Sequence, residues 1–142
     1  MIDTKREPIG KYLSIINRKG NVFITKEISK FGIGSGQVMF LMELYKKDGI
    51  SQEELSEGLN IDKATTCRAI KKLEEAEFLT RVKDKNDKRA YKLYLTQKSK
   101  DMEESIRDVL RICEDHISKN LSEEEVKTLA MILKKICINS NI

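Results

Sequence analysis

The chain contains few of the residues that catalytic and metal sites need. Its 142 residues include one histidine, three cysteines and no tryptophan. His116 has no metal-ligating residue spaced around it, and Cys67, Cys113 and Cys137 are too far apart in the sequence to form a CxxC pair. No general acid–base constellation is visible either. The sequence therefore predicts a protein that is not an enzyme and that has no metal or other cofactor.

Long apolar runs and proline are scarce as well. No apolar run approaches the roughly 20 residues that would cross a bilayer, and residues 1–13 lack the apolar core of a signal peptide. We therefore expect a cytoplasmic protein with no membrane partner. One proline and 35% charged residues are typical of a helical protein with solvated outer faces, and the length suits about one domain.

Apolar spacing predicts long amphipathic helices at both ends of the chain. One covers residues 9–31, with Gly20 near its middle, and two more lie in the last 46 residues. The run FGIGSG between residues 31 and 36 is interpreted as a linker, because no buried strand precedes it and no Lys-Ser/Thr follows it. An apolar helix at about residues 37–47 should be central. The terminal stripes are hard to bury in one small subunit, so they predict a homodimer.

Residues 51–96 have the element order of a winged helix-turn-helix. Ser51 and Asp62 are the predicted N-caps of two short helices, and residues 79–83 and 90–96 alternate as strands do. Residues 61–98 contain 11 Lys+Arg against 6 Asp+Glu, whereas the other 104 residues contain 16 against 17. A local basic excess is expected of a surface that binds DNA phosphates.

The second of these helices has a cationic outer face by angular position. If Thr66, Ile70 and Leu73 pack inward, Arg68 lies nearly opposite them. The acidic residues of this helix occur only at its C-terminal end, between residues 74 and 77. A solvated face without a partner is the alternative. The acid-free N-terminal half favours contact with a DNA groove. The predicted contact residues are Lys63, Thr65, Arg68, Lys71 and Lys72.

The segment DKNDKR between the two strands is too polar to pack in a core. As a hairpin tip it can lie along a DNA backbone or place a guanidinium in a minor groove. The alternative is an ordinary turn whose lysines and arginine are neutralised by Asp84 and Asp87. The predicted DNA-contacting residues here are Lys85, Lys88 and Arg89.

The segments IDKATTCRAIKKLEEAEFL and DKRAYKLYLT resemble the recognition helix and wing of the multiple-antibiotic-resistance regulator (MarR) family. The resemblance implies a mainly α winged helix-turn-helix fold, with about six helices and a small antiparallel β-wing. It implies a DNA-binding lobe at residues 34–97 between dimerisation helices at 1–33 and 98–142. It also implies that Thr65 and Arg68 contact DNA, and that Arg89 reaches a minor groove while Asp87 orients it.

Three positions depart from the family pattern. Cys67 stands where Ser or Thr is usual, Thr66 where an aliphatic residue is usual, and Ser99 where glycine is common. The helical count places Cys67 on the flank of the recognition helix, partly shielded. An oxidised or alkylated Cys67 would clash with DNA or repel it, which is one hypothesis for regulation. The favoured alternative is an inert small residue, since half-buried cysteines usually behave as small hydrophobes.

The predicted function is a sequence-specific transcriptional regulator, a repressor that binds an inverted repeat in double-stranded DNA as a homodimer. The resemblance implies a pocket for a small aromatic or anionic effector, with Tyr12, Phe40 and Tyr45 as candidate lining residues. The alternative for these aromatics is the core, where most such residues lie. The alternative function is a winged-helix module that binds protein, which would need a neutral or apolar recognition helix.

Overall fold

The computed structural model describes residues 6–139. Within that range the chain forms six α-helices, a short 3-10 turn after the first of them, and one two-stranded antiparallel sheet. The elements are α1 (Ile9–Ile28), the 3-10 turn (Ser29–Phe31), α2 (Ser35–Lys46), α3 (Gln52–Leu59), α4 (Lys63–Glu75), β1 (Leu79–Lys83), β2 (Tyr91–Leu95), α5 (Gln97–Ser118) and α6 (Glu123–Asn139). The predicted fold class is confirmed. The outermost parts of the predicted terminal segments, residues 1–5 and 140–142, lie outside the described residues.

The glycine-rich run joins two helices and does not form a nucleotide-binding loop. Gly32 ends the 3-10 turn with φ of 82°, a left-handed conformation that glycine adopts without steric cost. The backbone N–H of Gly34 donates to Oε1 of Gln37 at 2.7 Å, which satisfies one free donor at the start of α2. Helix α2 therefore begins at Ser35, two residues before the predicted start.

Helix α2 is the centre of the hydrophobic core, as its apolar circumference predicts. Phe40, Leu41 and Leu44 are at most 2% exposed. The same cluster includes Ile28 of α1 and Ile106 of α5, so the terminal helices share a core with the middle of the chain. Each large side chain buried here contributes about 2 kcal/mol of apolar transfer free energy. This core holds the helix-turn-helix and the bases of the terminal helices together.

The wing is anchored to the connection between α2 and α3. Strands β1 and β2 pair from Leu79 opposite Leu95 to Lys83 opposite Tyr91. On the free side of β2, Leu93 donates its N–H to the carbonyl of Ile50 at 2.9 Å and accepts the N–H of Gly49 at 2.8 Å. These bonds pair the edge of β2 that does not face β1, and they hold the hairpin against the helical lobe.

Apolar stripes on α1 and α6 face outward. Within the described chain, no residue of α6 is buried, and Leu129, Ile132 and Ile136 are 40–48% exposed. Ile9 and Leu13 of α1 are 57% and 43% exposed. No helix of the described residues is long and apolar enough to cross a membrane. Because these side chains form continuous stripes, they are more typical of an interaction surface than single exposed apolar residues are.

Substitutions at Ile70 and Lys71 test which face of α4 packs against the core. Ile70 is fully buried, so Ile70→Ala should lower the free energy of unfolding by about 3 kcal/mol through lost transfer energy and a cavity. The matched control is Lys71→Ala, one position along the same helix, which should change it by less than about 0.5 kcal/mol because Lys71 is exposed. Urea unfolding at fixed protein concentration measures both. Equal effects of the two substitutions would contradict the assigned orientation of α4.

Candidate nucleic-acid interface

Side-chain caps set where the two short helices begin. The Ser51 hydroxyl accepts the N–H of Glu54 at 3.0 Å at the start of α3, and Asp62 Oδ1 accepts the N–H of Thr65 at 2.7 Å at the start of α4. Asn60, with φ of 52°, makes the left-handed turn between them. The two predicted N-caps are confirmed. They fix the entry of α4 relative to α3.

The pKa of Asp62 lies below its ordinary value. The main cause is the hydrogen bond from the Thr65 backbone, followed by that from the Thr65 hydroxyl, with a smaller contribution from the charge of Arg68. The Thr65 hydroxyl donates to Asp62 Oδ2 at 2.7 Å and accepts from Nη2 of Arg68 at 3.1 Å. Asp62 is thus an ionised cap, and a short chain of hydrogen bonds orients Arg68 along the helix.

Helix α4 has a buried face and a cationic face, as predicted. Thr66, Ala69, Ile70 and Leu73 are buried. Thr65 is half-buried, and the four basic residues are exposed: Lys63, Arg68, Lys71 and Lys72. Lys63 Nζ lies 4.0 Å from a carboxylate oxygen of Glu53, but both side chains are so exposed that the pair is weak. The outer face therefore presents a row of exposed cations.

The two acids at the wing tip bind its backbone. Asp84 Oδ1 accepts the N–H of Asn86 at 2.9 Å, and Asp87 Oδ1 accepts the N–H of Arg89 at 3.0 Å. Both are turns in which an aspartate bonds the backbone two residues ahead. Asp87 thus shapes the chain at Arg89 and is not paired with its guanidinium.

The basic side chains of the tip are available to a partner. Among residues 6–139 no carboxylate oxygen comes within 4.0 Å of a charged nitrogen of Lys85, Lys88 or Arg89. All three residues are exposed. The tip is therefore not the ion-paired turn that was the alternative from sequence.

A groove of about 230 Å³ lies between the helix-turn-helix and the wing. Its walls include Lys63 of α4 and Arg89 of the wing, so the fold brings cations from both predicted contact segments to one surface. Gln52 of α3 lines it too, and its Oε1 is the one buried side-chain oxygen without a hydrogen-bond donor in the described part of the chain. Nothing in the sequence distinguished Gln52 from other helical glutamines.

Arg81 is a second residue that sequence reasoning missed. Its Nε donates to Glu74 Oε2 at 3.3 Å, and its guanidinium lies 4.9 Å from the ring centre of Tyr91. Arg81 therefore ties the end of α4 to both strands of the wing. Strand alternation was the available signal, because Arg81 pairs opposite the buried Leu93 and so shares its face.

The three aromatic residues proposed for an effector pocket have different surroundings. Phe40 is 2% exposed and belongs to the core, so it offers no surface to a ligand. The hydroxyl of Tyr45 donates to the carbonyl of Ser99, and the ring of Tyr12 is 46% exposed, with its hydroxyl bonded to Glu7. Phe40 therefore agrees with the core alternative, and the roles of Tyr12 and Tyr45 in an effector pocket stay predictions.

Cys67 is more accessible than its angular position indicated. It is exposed, where the sequence predicted partial shielding. Cys113 is buried and Cys137 exposed.

Comparison with known proteins identifies the family. The MarR family model matches residues 33–91. The HTH-type transcriptional regulator BilQ of Clostridium symbiosum is 31% identical over 88% of this chain and 87% of its own. A MarR transcriptional regulator from Methanosarcina mazei is 38% identical, with a TM-score of 0.86 over 92% of this chain and 94% of that one. The chain belongs to the MarR family.

One structural neighbour in the MarR family bears on the interface. A cysteine-to-serine variant of MarR from E. coli, solved in complex with operator DNA, is 25% identical, with a TM-score of 0.81 over 91% of this chain and 93% of that one. The relatives are transcriptional regulators and not enzymes, in agreement with the sequence. This MarR-family member is a DNA-binding regulator with a winged-helix fold.

Alkylation of Cys67 should block DNA binding. Because the thiol is exposed on α4, an N-ethylmaleimide adduct there would prevent close approach of the helix to a groove. Binding of the treated native protein should fall by about tenfold or more. The matched control is Cys67→Ser, which retains the exposed Cys137. Its DNA binding should not change on the same treatment. Unchanged binding by protein shown by mass spectrometry to be modified at Cys67 would disprove this placement, and peroxide treatment of the same pair tests the oxidation hypothesis.

Proposed function

We propose that this MarR-family protein is a homodimeric repressor that binds an inverted-repeat operator through α4 and the wing. The observation that carries the proposal is the exposed cationic face of α4. From Lys63 to Leu73 the helix contains no acid, and its cations face solvent while its apolar residues face the core. Such a face suits a major groove lined by phosphates. A protein-binding winged helix would instead present an apolar or neutral face here.

Each part of the surface has a proposed role. Arg68 and Thr65 meet base edges or the adjoining phosphates in the major groove, with Arg68 already oriented by Thr65. The lysines 63, 71 and 72 contact phosphates, which gives affinity without sequence information. Lys85 and Lys88 contact the DNA phosphate backbone, and the Arg89 side chain enters the minor groove. Asp87 holds the main chain of Arg89 by accepting its N–H. Action on chromosomal DNA places the protein in the cytoplasm.

The dimer is supported by the apolar surface that one subunit leaves open. The stripes of α1 and α6 are exposed within the described chain, and a cavity of about 370 Å³ between α1 and α5 has mainly apolar walls that include Ile16, Phe23 and Ile117. A second copy related by a two-fold axis would cover these apolar surfaces, so the stripes of both subunits would be buried in the dimer interface. We assign dimerisation to residues 1–33 and 98–142, and DNA binding to residues 34–97.

Control by a small molecule is best placed in the cavity between α1 and α5. Its apolar walls and the nearby Lys19 ammonium suit a small aromatic molecule that carries an anionic group. Because α5 continues into the lobe that carries α4, a ligand there would act on the spacing of the two DNA-binding lobes. A repressor released by such an effector is the regulatory cycle that we propose.

Two arginine substitutions test the DNA surface. On duplexes obtained by in vitro selection with the full chain, Arg68→Ala should weaken binding by about tenfold or more, because a lost bidentate contact costs 1–3 kcal/mol. Arg89→Ala should mainly reduce the preference for A·T flanks, since a minor groove distinguishes little else. Lys100→Ala, an exposed cation on α5, is the control. Unchanged binding by both arginine variants, or an affinity independent of salt, would refute this surface.

One substitution on α6 tests the dimer without disturbing the subunit. Leu129 is 40% exposed, so Leu129→Glu should be tolerated in a monomer but should bury an unpaired charge in a dimer. The dimer dissociation constant should rise by about a hundredfold or more. Lys127→Glu, on the polar side of the same helix, should leave it nearly unchanged. Sedimentation velocity at micromolar concentration measures both, and a compact folded monomer for the native chain would disprove dimerisation.

A further inference from the structure

The first turn of α5 holds the end of the recognition helix by specific hydrogen bonds. Nζ of Lys98 donates to the carbonyl of Ala76 at 2.8 Å and lies 5.0 Å from the ring centre of Phe78. The Thr96 hydroxyl donates to the carbonyl of Glu77 at 2.6 Å. These carbonyls directly follow the last turn of α4, where the helix itself has no further N–H groups to donate to them. Lys98 thus supplies a positive charge where the helix dipole is negative.

The chain between α4 and β1 is held in an unfavourable conformation at this place. Glu77 has φ of 63°, a left-handed value that is uncommon for a residue other than glycine. Its carbonyl is the one that Thr96 binds. The bonds from α5 therefore determine the direction in which α4 ends.

The same turn of α5 is also bonded to α2. The Tyr45 hydroxyl donates to the carbonyl of Ser99 at 2.5 Å, and the Ser99 hydroxyl donates to Tyr45 at 3.3 Å. Burial is the main cause that raises the pKa of Tyr45, so its hydroxyl keeps the proton that it donates. We call this set of residues the α5 junction: Tyr45, Ala76, Glu77, Thr96, Lys98 and Ser99.

The α5 junction lies at one end of a continuous helix of 22 residues. Ile106 and Val109 pack α5 against the core further along, but apolar packing is not directional. Hydrogen bonds to carbonyls are directional and weaken as their angles change. The junction therefore restrains the rotation of α5 relative to α4 in a way that the core does not.

We propose that Lys98 is a positioning residue, and that the α5 junction sets the half-site spacing that the dimer accepts. This rests on the proposed inverted-repeat dimer, in which α5 connects each recognition helix to the two-fold axis. With the junction intact, the two α4 helices have one preferred separation. Loss of the Lys98 bonds lets each lobe turn on α5, and the dimer then accepts neighbouring spacings.

Spacing selectivity is the readout that a merely stabilising role would not move. The selected half-site is placed in duplexes whose centre-to-centre spacing varies by up to two base pairs about the optimum, and the affinity of the full-length dimer is measured for each. Lys98→Met, which retains the length of the side chain without the charge, should reduce the ratio of best to neighbouring affinity by about threefold or more. Lys98→Arg should restore most of it, since a guanidinium can donate to the same carbonyl.

Lys100→Met is the matched control, because Lys100 is exposed two positions along α5. It should keep the native ratio. If Lys98→Met does not fold, Tyr45→Phe, which removes the bond to Ser99 without changing the core, decides the question by the same ratio. A folded Lys98→Met protein whose affinity falls equally for all spacings would overturn the proposal. If that variant does not fold, a Tyr45→Phe protein that keeps the native ratio of affinities would overturn it instead. A native protein with no preferred spacing would instead remove the inverted-repeat dimer and the proposal with it.

Discussion

The packing of α4 on α2 is the constraint on which the proposed DNA-binding surface depends. Ile70 and Leu73 are fully buried in the same hydrophobic cluster as Leu41 and Leu44 of α2, and the two helices contact each other. Since residues on a helix keep fixed angular positions, burying these two residues turns the cationic face outward without any further instruction. The charge of the surface is thus a consequence of the core. A helix with the same cations but no apolar stripe would have no defined face to present.

Polar contacts complete what the core begins. The caps at Ser51 and Asp62 set the ends of the helices, and Arg81 ties the wing to the end of α4. Each contact is worth little in net free energy, because water competes for the same groups. Their value lies in direction: they determine where an already folded helix begins and which way the hairpin leaves it. The wing tip follows the same logic, with its two acids bonded to the backbone and its cations exposed.

The departures from the family pattern have different structural meanings. Thr66 replaces an aliphatic residue and is buried, and its hydroxyl donates to the carbonyl of Asp62 at 2.9 Å, so the added polar group is satisfied. Ser99 is likewise buried, with its hydroxyl bonded to Tyr45. Cys67 alone is exposed. The first two are accommodated by local hydrogen bonds, and the third adds a thiol to the exposed surface of α4.

The sequence by itself determined the features that depend on near neighbours. Helical spacing, the two caps, the alternation of the strands and the separation of cations from acids on α4 all involve residues a few positions apart, so they could be predicted. The exposure of Cys67 and the partners of Arg81 and Lys98 could not. Lys98 binds a carbonyl 22 residues away, and Tyr45 one 54 residues away. Such pairs form only when α2, α4 and α5 pack together, and no local pattern records which carbonyl a side chain will meet.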